Sequence, residues 1–286
     1  MPEPAPRVKI GQEYGPADGR IDADAVLAYA HAIDDPNPVY ESTDKVHPLY
    51  TVSLVLPTYL VAQGDSVEPG AIEGVRGGVH GEHDTVVHRP LRAGVDVTWN
   101  VTTHSAAQTP AGVLISQRIV LSDAEGPAIE HYWSTLMIGG KISEPLGPAL
   151  ADHTFPDDAR TRPLGQHAFG IARDQAFRYG GASGDRALMH IDDEAARRAG
   201  FPSKFMQGLC TFAMCAAAVV KVAADGDPDR VRRLACRFSA PVFPGNDVVV
   251  DVFDAGRSEQ GGREIAFEAT SAGQTVIRHG RARVVD

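Results

Sequence analysis

Residues 179–190 read YGGASGDRALMH, and the spacing within this stretch organises the whole chain. Tyr179 stands six residues before Asp185, and His190 follows Asp185 by five. The same spacing recurs upstream at an offset of 150, where Tyr29 is followed six residues later by Asp35. There Tyr40 takes the place that His190 holds. Further along, HRPLRAGVDV (88–97) lies over SAPVFPGNDV (239–248), so that Pro90 and Gly94 match Pro241 and Gly245 at an offset of 151. Self-similarity over this span is the mark of a duplicated unit.

Each copy has the same coarse order: an opening segment, a helical stretch, a buried helix and a run of strands. In the first copy, Asp22 to Ile33 has helical apolar spacing behind an Asp suited to N-capping. An apolar segment from Val52 to Ala62 follows, with Pro57 near its middle, and then strand candidates at 95–103, 113–121 and 129–138. The second copy places its helical stretch at 192–200 and its buried helix from about Gly208. Its strands are predicted near 232–239, 247–254, 263–271 and 274–285. Several long strands joined by turn-sized gaps favour an antiparallel sheet wrapped around a helix, an α+β layout and not βαβ alternation. Residues 1–140 therefore read as one repeat and 166–286 as the other. The Pro-rich stretch 141–165 reads as the linker. Two such units are expected to pair edge to edge as a pseudo-dimer.

Composition narrows the function. The 286 residues are 43% hydrophobic and 22% charged, as in globular proteins, and the formal charge of −10 argues against nucleic-acid binding, which needs a basic face. The opening MPEPAPRVKIGQEYG lacks the apolar core of a secretory signal, and Leu209 to Val220 is too short to span a bilayer. Cys210, Cys215 and Cys236 are odd in number and set among apolar residues, which suits buried free thiols in a reducing cytoplasm.

Asp185 and His190 would sit about 140° apart around a regular α-helix and could not meet one substrate from it. They can converge if the chain turns between them, and Gly180, Gly181 and Gly184 make irregular backbone accessible just upstream. A carboxylate beside an imidazole can hold a water and move protons near neutral pH. Gly208, opening the apolar helix, would present an unpaired backbone N–H and the positive end of the helix dipole, which suits a developing oxyanion. The plainer reading of these residues is a turn with two titratable groups and a glycine that eases entry into a helix.

The run from Tyr179 to Thr211 resembles the signature region of the MaoC-like hydratases, also called hydratase 2. Ser183-Gly-Asp185, His190, Ala199-Gly-Phe-Pro202 and Gly208-Leu-Cys-Thr211 carry the resemblance. The first copy is similar to the degenerate half of two-domain members, with HGEH (80–83) at the family's His-Gly-Glu-Gln position and Asp35-Pro-Asn37-Pro38 keeping part of the motif without its His. The resemblance implies a double hot-dog fold and (R)-specific hydration of trans-2-enoyl-CoA. Asp185 and His190 would activate water, and Gly208 would hold the thioester oxygen. No metal or separate cofactor is implied, since coenzyme A enters with the acyl-CoA substrate. The first repeat would shape the pocket for a long or bulky acyl group, from a fatty acid or a sterol side chain, and a homodimer of double hot-dog chains is an expected partner state. The family's Asn and Pro are Ala187 and Leu188 here, and the His before the oxyanion glycine is Gln207. An acyl-CoA thioesterase on the same fold, or a non-catalytic partner subunit, are the alternatives.

His80, His83 and His88 with Glu82 invite a metal reading. On a regular strand His80 and His83 would face opposite ways, so a surface strand with polar positions is the expectation. Arg230, Arg232, Arg233 and Arg237 could meet coenzyme A phosphates or form a solvated charged segment.

Overall fold

The computed structural model describes residues 6–286; the first five residues of the opening segment lie outside the described residues. The first half contains strand β1 (Glu13–Arg20), helix α1 (Ala23–Ala32), a short α2 (Val39–Ser42) and helix α3 (Val52–Asp65). Strands β2 (Gly77–Val87), β3 (Asp96–Thr109), β4 (Gly112–Asp123) and β5 (Gly126–Ile138) complete it. The second half runs β6 (Pro163–Gly170), α4 (Gln175–Ser183), α5 (Asp193–Arg198), α6 (Gly208–Ala223), β7 (Val231–Phe238), β8 (Asp247–Arg257), β9 (Arg263–Ser271) and β10 (Gln274–Val284). Asp22 caps α1 by accepting from the Ala25 N–H at 2.8 Å, and Asp192 caps α5 from Ala195 at 2.6 Å.

All ten strands form one antiparallel sheet in the order β1-β3-β4-β5-β2-β7-β10-β9-β8-β6. That order reads the same from either end when each second-half strand is paired with its first-half counterpart, so a pseudo-twofold axis passes between β2 and β7. The two repeats join there, as antiparallel edges running from Glu82 opposite Arg237 to Val86 opposite Arg233. Ion pairs fix this register from the outer face: Arg233 meets Asp84 at 2.7 Å and Arg237 meets Glu82 at 2.6 Å. Helix α6 is buried almost all round, with Phe212, Met214 and Val219 fully covered, and it touches every strand of its half. Helix α3 packs on β1, β3 and β4. The result is the double hot-dog, a sheet curled around a helix in each repeat. Cys210, Cys215 and Cys236 are free and buried.

Two expectations fail here. The helix equivalent to α1 is α4 and not the 192–200 segment, which forms only the six-residue α5. The two lie side by side with the Tyr29 and Tyr179 hydroxyls 3.5 Å apart, across the offset of 150. Gly180 and Gly181 lower the intrinsic helix propensity of α4 and mask it in the sequence. Gly180 is needed because a Cβ there would lie 2.8 Å from the Asp185 carbonyl oxygen, where the chain folds back over the helix. Nor is the HGEH segment a surface strand. A β-bulge between His80 and Glu82 leaves Gly81 unpaired and brings His80 and His83 to the same side, opposite Thr135 and Trp133 of β5. His83 is fully buried, and its Nδ1 lies 3.3 Å from His80 Nε2.

Candidate functional site

The stretch 179–190 is the end of α4 and the turn that follows. Gly184 adopts the left-handed conformation (φ 81°) and ends the helix, with its N–H donating to the Gly180 carbonyl. The chain then extends through 185–187. The Asp185 N–H donates to Ser183 Oγ at 3.2 Å, and Asp185 Oδ1 accepts from the Ala187 N–H at 3.3 Å. A 3-10 turn from Leu188 to His190 swings the imidazole inward. The turn brings Asp185 and His190 close enough for the carboxylate charge to act on the ring.

His190 is buried, and its Nδ1 lies 2.8 Å from the Phe205 carbonyl oxygen. A carbonyl can only accept, so Nδ1 carries the proton and the neutral ring keeps its lone pair on Nε2. Phe205 also packs edge-on against the ring, with centroids 4.9 Å apart. Burial pushes the His190 pKa below the ordinary imidazole value, while the Asp185 charge and the Phe205 carbonyl oppose that shift. The ring is therefore neutral near pH 7, with a nearby carboxylate able to stabilise its protonated form.

Gly208 is the first residue of α6, and its N–H finds no hydrogen-bond partner among the described residues. A Cβ at Gly208 would come within 3.1 Å of the Phe238 ring, so glycine lets the helix start close against that aromatic wall. Gln207, beside it, is almost fully buried and donates through Nε2 to the Ala176 and Asp185 carbonyls, both at 3.0 Å. One amide thus ties α4, the Asp185 turn and the start of α6 together. Ala187 and Leu188 are exposed and contribute only backbone to the turn.

Gln207→Leu removes this tie and leaves the Asp185 carbonyl without its donor. We expect kcat for any reaction of the site to fall about tenfold with KM little changed, because the reacting groups shift while the remaining binding surface persists. Gln207→His, which keeps one ring N–H, should recover part of the loss; equal losses in both variants would assign Gln207 a purely structural part.

The first repeat supplies the other wall. Leu56 of α3 lies 3.8 Å from the position a Gly184 Cβ would take, and the Asp185 charge helps to raise the Tyr59 hydroxyl pKa, secondary to burial. Tyr59 stacks on Trp133 at 3.9 Å, and His80 stacks on the same indole at 5.0 Å while tilting against Phe238 at 4.4 Å. Behind His80 the polar chain continues through His83 to His131, whose Nε2 lies 2.9 Å from Thr51 Oγ1. These aromatic and His contacts left no sequence signal, because they join residues far apart in the chain. The counterpart of the Asp–His pair in the first repeat is closed: Asp35 and Tyr40 are buried, and the Tyr40 ring packs against the buried His47 ring. Thr51, bonded to His131, stands just before α3 where Gln207 and Gly208 open α6.

The four arginines at 230–237 are held within the protein. Arg230 pairs with Asp225, Arg232 donates to the Asp229 carbonyl, and Arg233 and Arg237 hold the seam between the repeats. Among the described residues, no group of three or more His, Cys, Asp or Glu is arranged to hold a metal ion, and no helix is long and apolar enough to cross a membrane.

Residues 155–276 match the family described as MaoC like domain, and residues 8–131 match the FAS1-like dehydratase domain region. A Dictyostelium discoideum protein named probable enoyl-CoA hydratase 2 is 27% identical over 222 residues, covering 75% of this chain and 74% of that protein. A Mycobacterium tuberculosis protein named 3-hydroxyacyl-thioester dehydratase Y is 30% identical over 208 residues, covering 67% of this chain and 68% of that one. The crystal structure of a MaoC-like dehydratase from Phytophthora capsici superposes with a TM-score of 0.80 at 24% identity, over 97% of this chain and 96% of the other, and shares the fold. With one dehydratase-type region matched on each repeat and a relative aligned over two thirds of both chains, the protein belongs to the MaoC-like hydratase and dehydratase enzymes.

Proposed function

We propose that this chain is an (R)-specific enoyl-CoA hydratase, adding water across the C2–C3 double bond of trans-2-enoyl-CoA to give the (3R)-hydroxyacyl-CoA. Asp185 and His190 hold one water between them. His190 Nε2 takes a proton as the oxygen bonds to C3, and the proton is returned to C2, so that H and OH are both delivered from the same water. The Gly208 N–H, at the positive end of α6, receives the thioester oxygen as the enolate-like charge builds there. The same groups run the dehydration in reverse.

The observation that carries this reading is the His190 Nδ1 contact with the Phe205 carbonyl, because it leaves Nε2 as the free base beside the Asp185 carboxylate. The first repeat, whose own histidine position is filled by Tyr40, is left to bind the acyl group, which we take to be long or bulky, as in fatty-acid or sterol side-chain β-oxidation. The test is direct. Purified protein is mixed with trans-2-enoyl-CoAs of short, medium and long chain, and loss of enoyl absorbance is followed together with free-thiol release and chiral analysis of the product. Hydration to the 3R alcohol without thiol release is expected. Thiol release without hydration would identify a thioesterase, and no turnover of any chain length would favour a partner subunit.

A further inference from the structure

A cavity of about 330 Å³ lies in the first repeat, between the C-terminal end of α3 and strands β4 and β5. That volume is in the range of small-molecule pockets. Gln63, Ser66, Ile115, Gln117, Thr135 and Met137 are among its lining residues. Gln117 is the anomaly. On β4, Val113, Ile115, Gln117, Ile119 and Leu121 alternate onto one face, Ile119 and Leu121 in the main core with α3 and Val113 and Ile115 in a smaller apolar cluster with Val8, Ile72 and Ala106, so one primary amide interrupts an otherwise apolar stripe. Gln117 is 2% exposed, and among the described residues neither its Nε2 nor its Oε1 has a hydrogen-bond partner. Ser66, on the same cavity and 1% exposed, also leaves its Oγ without a partner among the described residues. Buried polar side chains are nearly always satisfied, and two orphaned groups on one cavity mark a place where a donor and an acceptor are missing.

The cavity is also placed along the line from the catalytic turn. Helix α3 passes Gly184 at Leu56, carries Tyr59 one turn further on, and reaches the cavity at Gln63. Gln63 lies seven positions beyond Leu56 on the helix, which is about 10 Å. Between the two regions the Tyr59 hydroxyl, Thr135 Oγ1 and Gln63 Nε2 form a hydrogen-bonded set with separations of 2.8 to 3.0 Å.

Resting on the hydratase reading above, we propose that this cavity receives the far end of the acyl group, and that Gln117 with Ser66 selects acyl-CoAs whose distal end bears a hydroxyl or keto oxygen. A plain hydrocarbon tail would bury the Gln117 amide with nothing to bond, whereas an oxygenated tail supplies an acceptor for Nε2 and, as a hydroxyl, a donor for Oε1. The oxygen could be carried by a linear chain or by a ring; the recognition chemistry is common to both.

The test uses non-reactive saturated thioesters on the intact chain: dodecanoyl-CoA, ω-hydroxydodecanoyl-CoA and an acyl-CoA of similar length ending in a cyclohexanone ring, titrated by calorimetry. At least one oxygenated ligand should bind about tenfold or more tightly than dodecanoyl-CoA, one such hydrogen bond to a buried group being sufficient for that ratio. The hydroxyl and ring arms distinguish a linear from a cyclic tail. Gln117→Leu should reverse the preference, with Gln117→Met as a second apolar replacement. Equal or tighter binding of dodecanoyl-CoA by the wild-type chain would overturn the proposal without recourse to any variant. Hydration of enoyl-CoAs with no preference for oxygen overturns this inference alone. A clear preference without hydration of any enoyl-CoA supports the pocket and overturns the hydratase reading.

Discussion

His190→Ala and Asp185→Asn are each expected to lower kcat for enoyl-CoA hydration by about 10²- to 10⁴-fold, the range for removing a positioned acid–base group. KM should change little, because the proposed mechanism uses both side chains on the water and not on the coenzyme A or the distal acyl group. The two variants differ in a second readout. Burial holds the His190 pKa below the ordinary imidazole value and the Asp185 charge lifts it back in part. In the wild-type chain the acid limb of kcat/KM therefore falls below the usual histidine range. In Asp185→Asn the lifting charge is gone, so the residual activity should show an acid limb displaced to still lower pH. In His190→Ala that limb should vanish. Losses should be far from additive, since in the proposed mechanism the pair acts on one water. Wild-type rates surviving both substitutions would remove the pair from the mechanism. An Asp185→Asn profile displaced upward would mean that the carboxylate does not act through the ring.

The second large effect concerns stability. Burial drives His47, His80 and His131 down to about 3, and it holds His83 well below its ordinary value, with the neighbouring His80 and His131 adding to the shift. A histidine that is neutral in the fold but free to protonate when unfolded binds more protons in the unfolded chain. Its contribution is therefore complete above the ordinary imidazole pKa of about 6.5 and is lost as pH falls from there toward the folded value. Each such ring adds a slope of up to about 1.4 kcal/mol per pH unit within that window. His153 works the other way. Burial lowers it, but the Glu82 hydrogen bond and charge outweigh that, so its folded pKa is raised. With these four rings and His190 lowered against His153 raised, urea unfolding should show a marked loss of stability from pH 7 to pH 5. That interval lies above the usual carboxylate pKa values, so the loss cannot be assigned to Asp or Glu. A flat profile over the interval would show that these rings are not held neutral in the folded chain.

The buried histidines also mark where the sequence stops being informative. The strands predicted at 113–121 and 129–138 lie within β4 and β5, and Asp22 caps α1 as expected, because a period of two, a period of 3.6 and a capping residue are local properties. His80 and His83 are misassigned by the same logic, since one extra residue at the Gly81 bulge reverses the face of everything beyond it. Helix α4 is hidden for a related reason. Its glycines argue against a helix locally, and the close approach of the Asp185 carbonyl, a tertiary contact, requires one of them. Gln117 stands between the two cases: its place in an apolar alternation is visible in VLISQRIVL, but its lack of partners is not.

By itself, the sequence determines that the chain is a duplicated unit, that one copy keeps Asp185, His190 and Gly208, and that the other has Tyr40 in place of the histidine. Spacing carries that information, since repeats and motifs are linear patterns. Tertiary structure decides which ring nitrogen of His190 is free, through the carbonyl of Phe205 fifteen residues away. It decides that Gln207 holds the Asp185 turn, and that α3 of the other repeat forms the facing wall. Those outcomes depend on which groups packing brings within hydrogen-bond reach, and residues distant in sequence have no spacing rule to announce them.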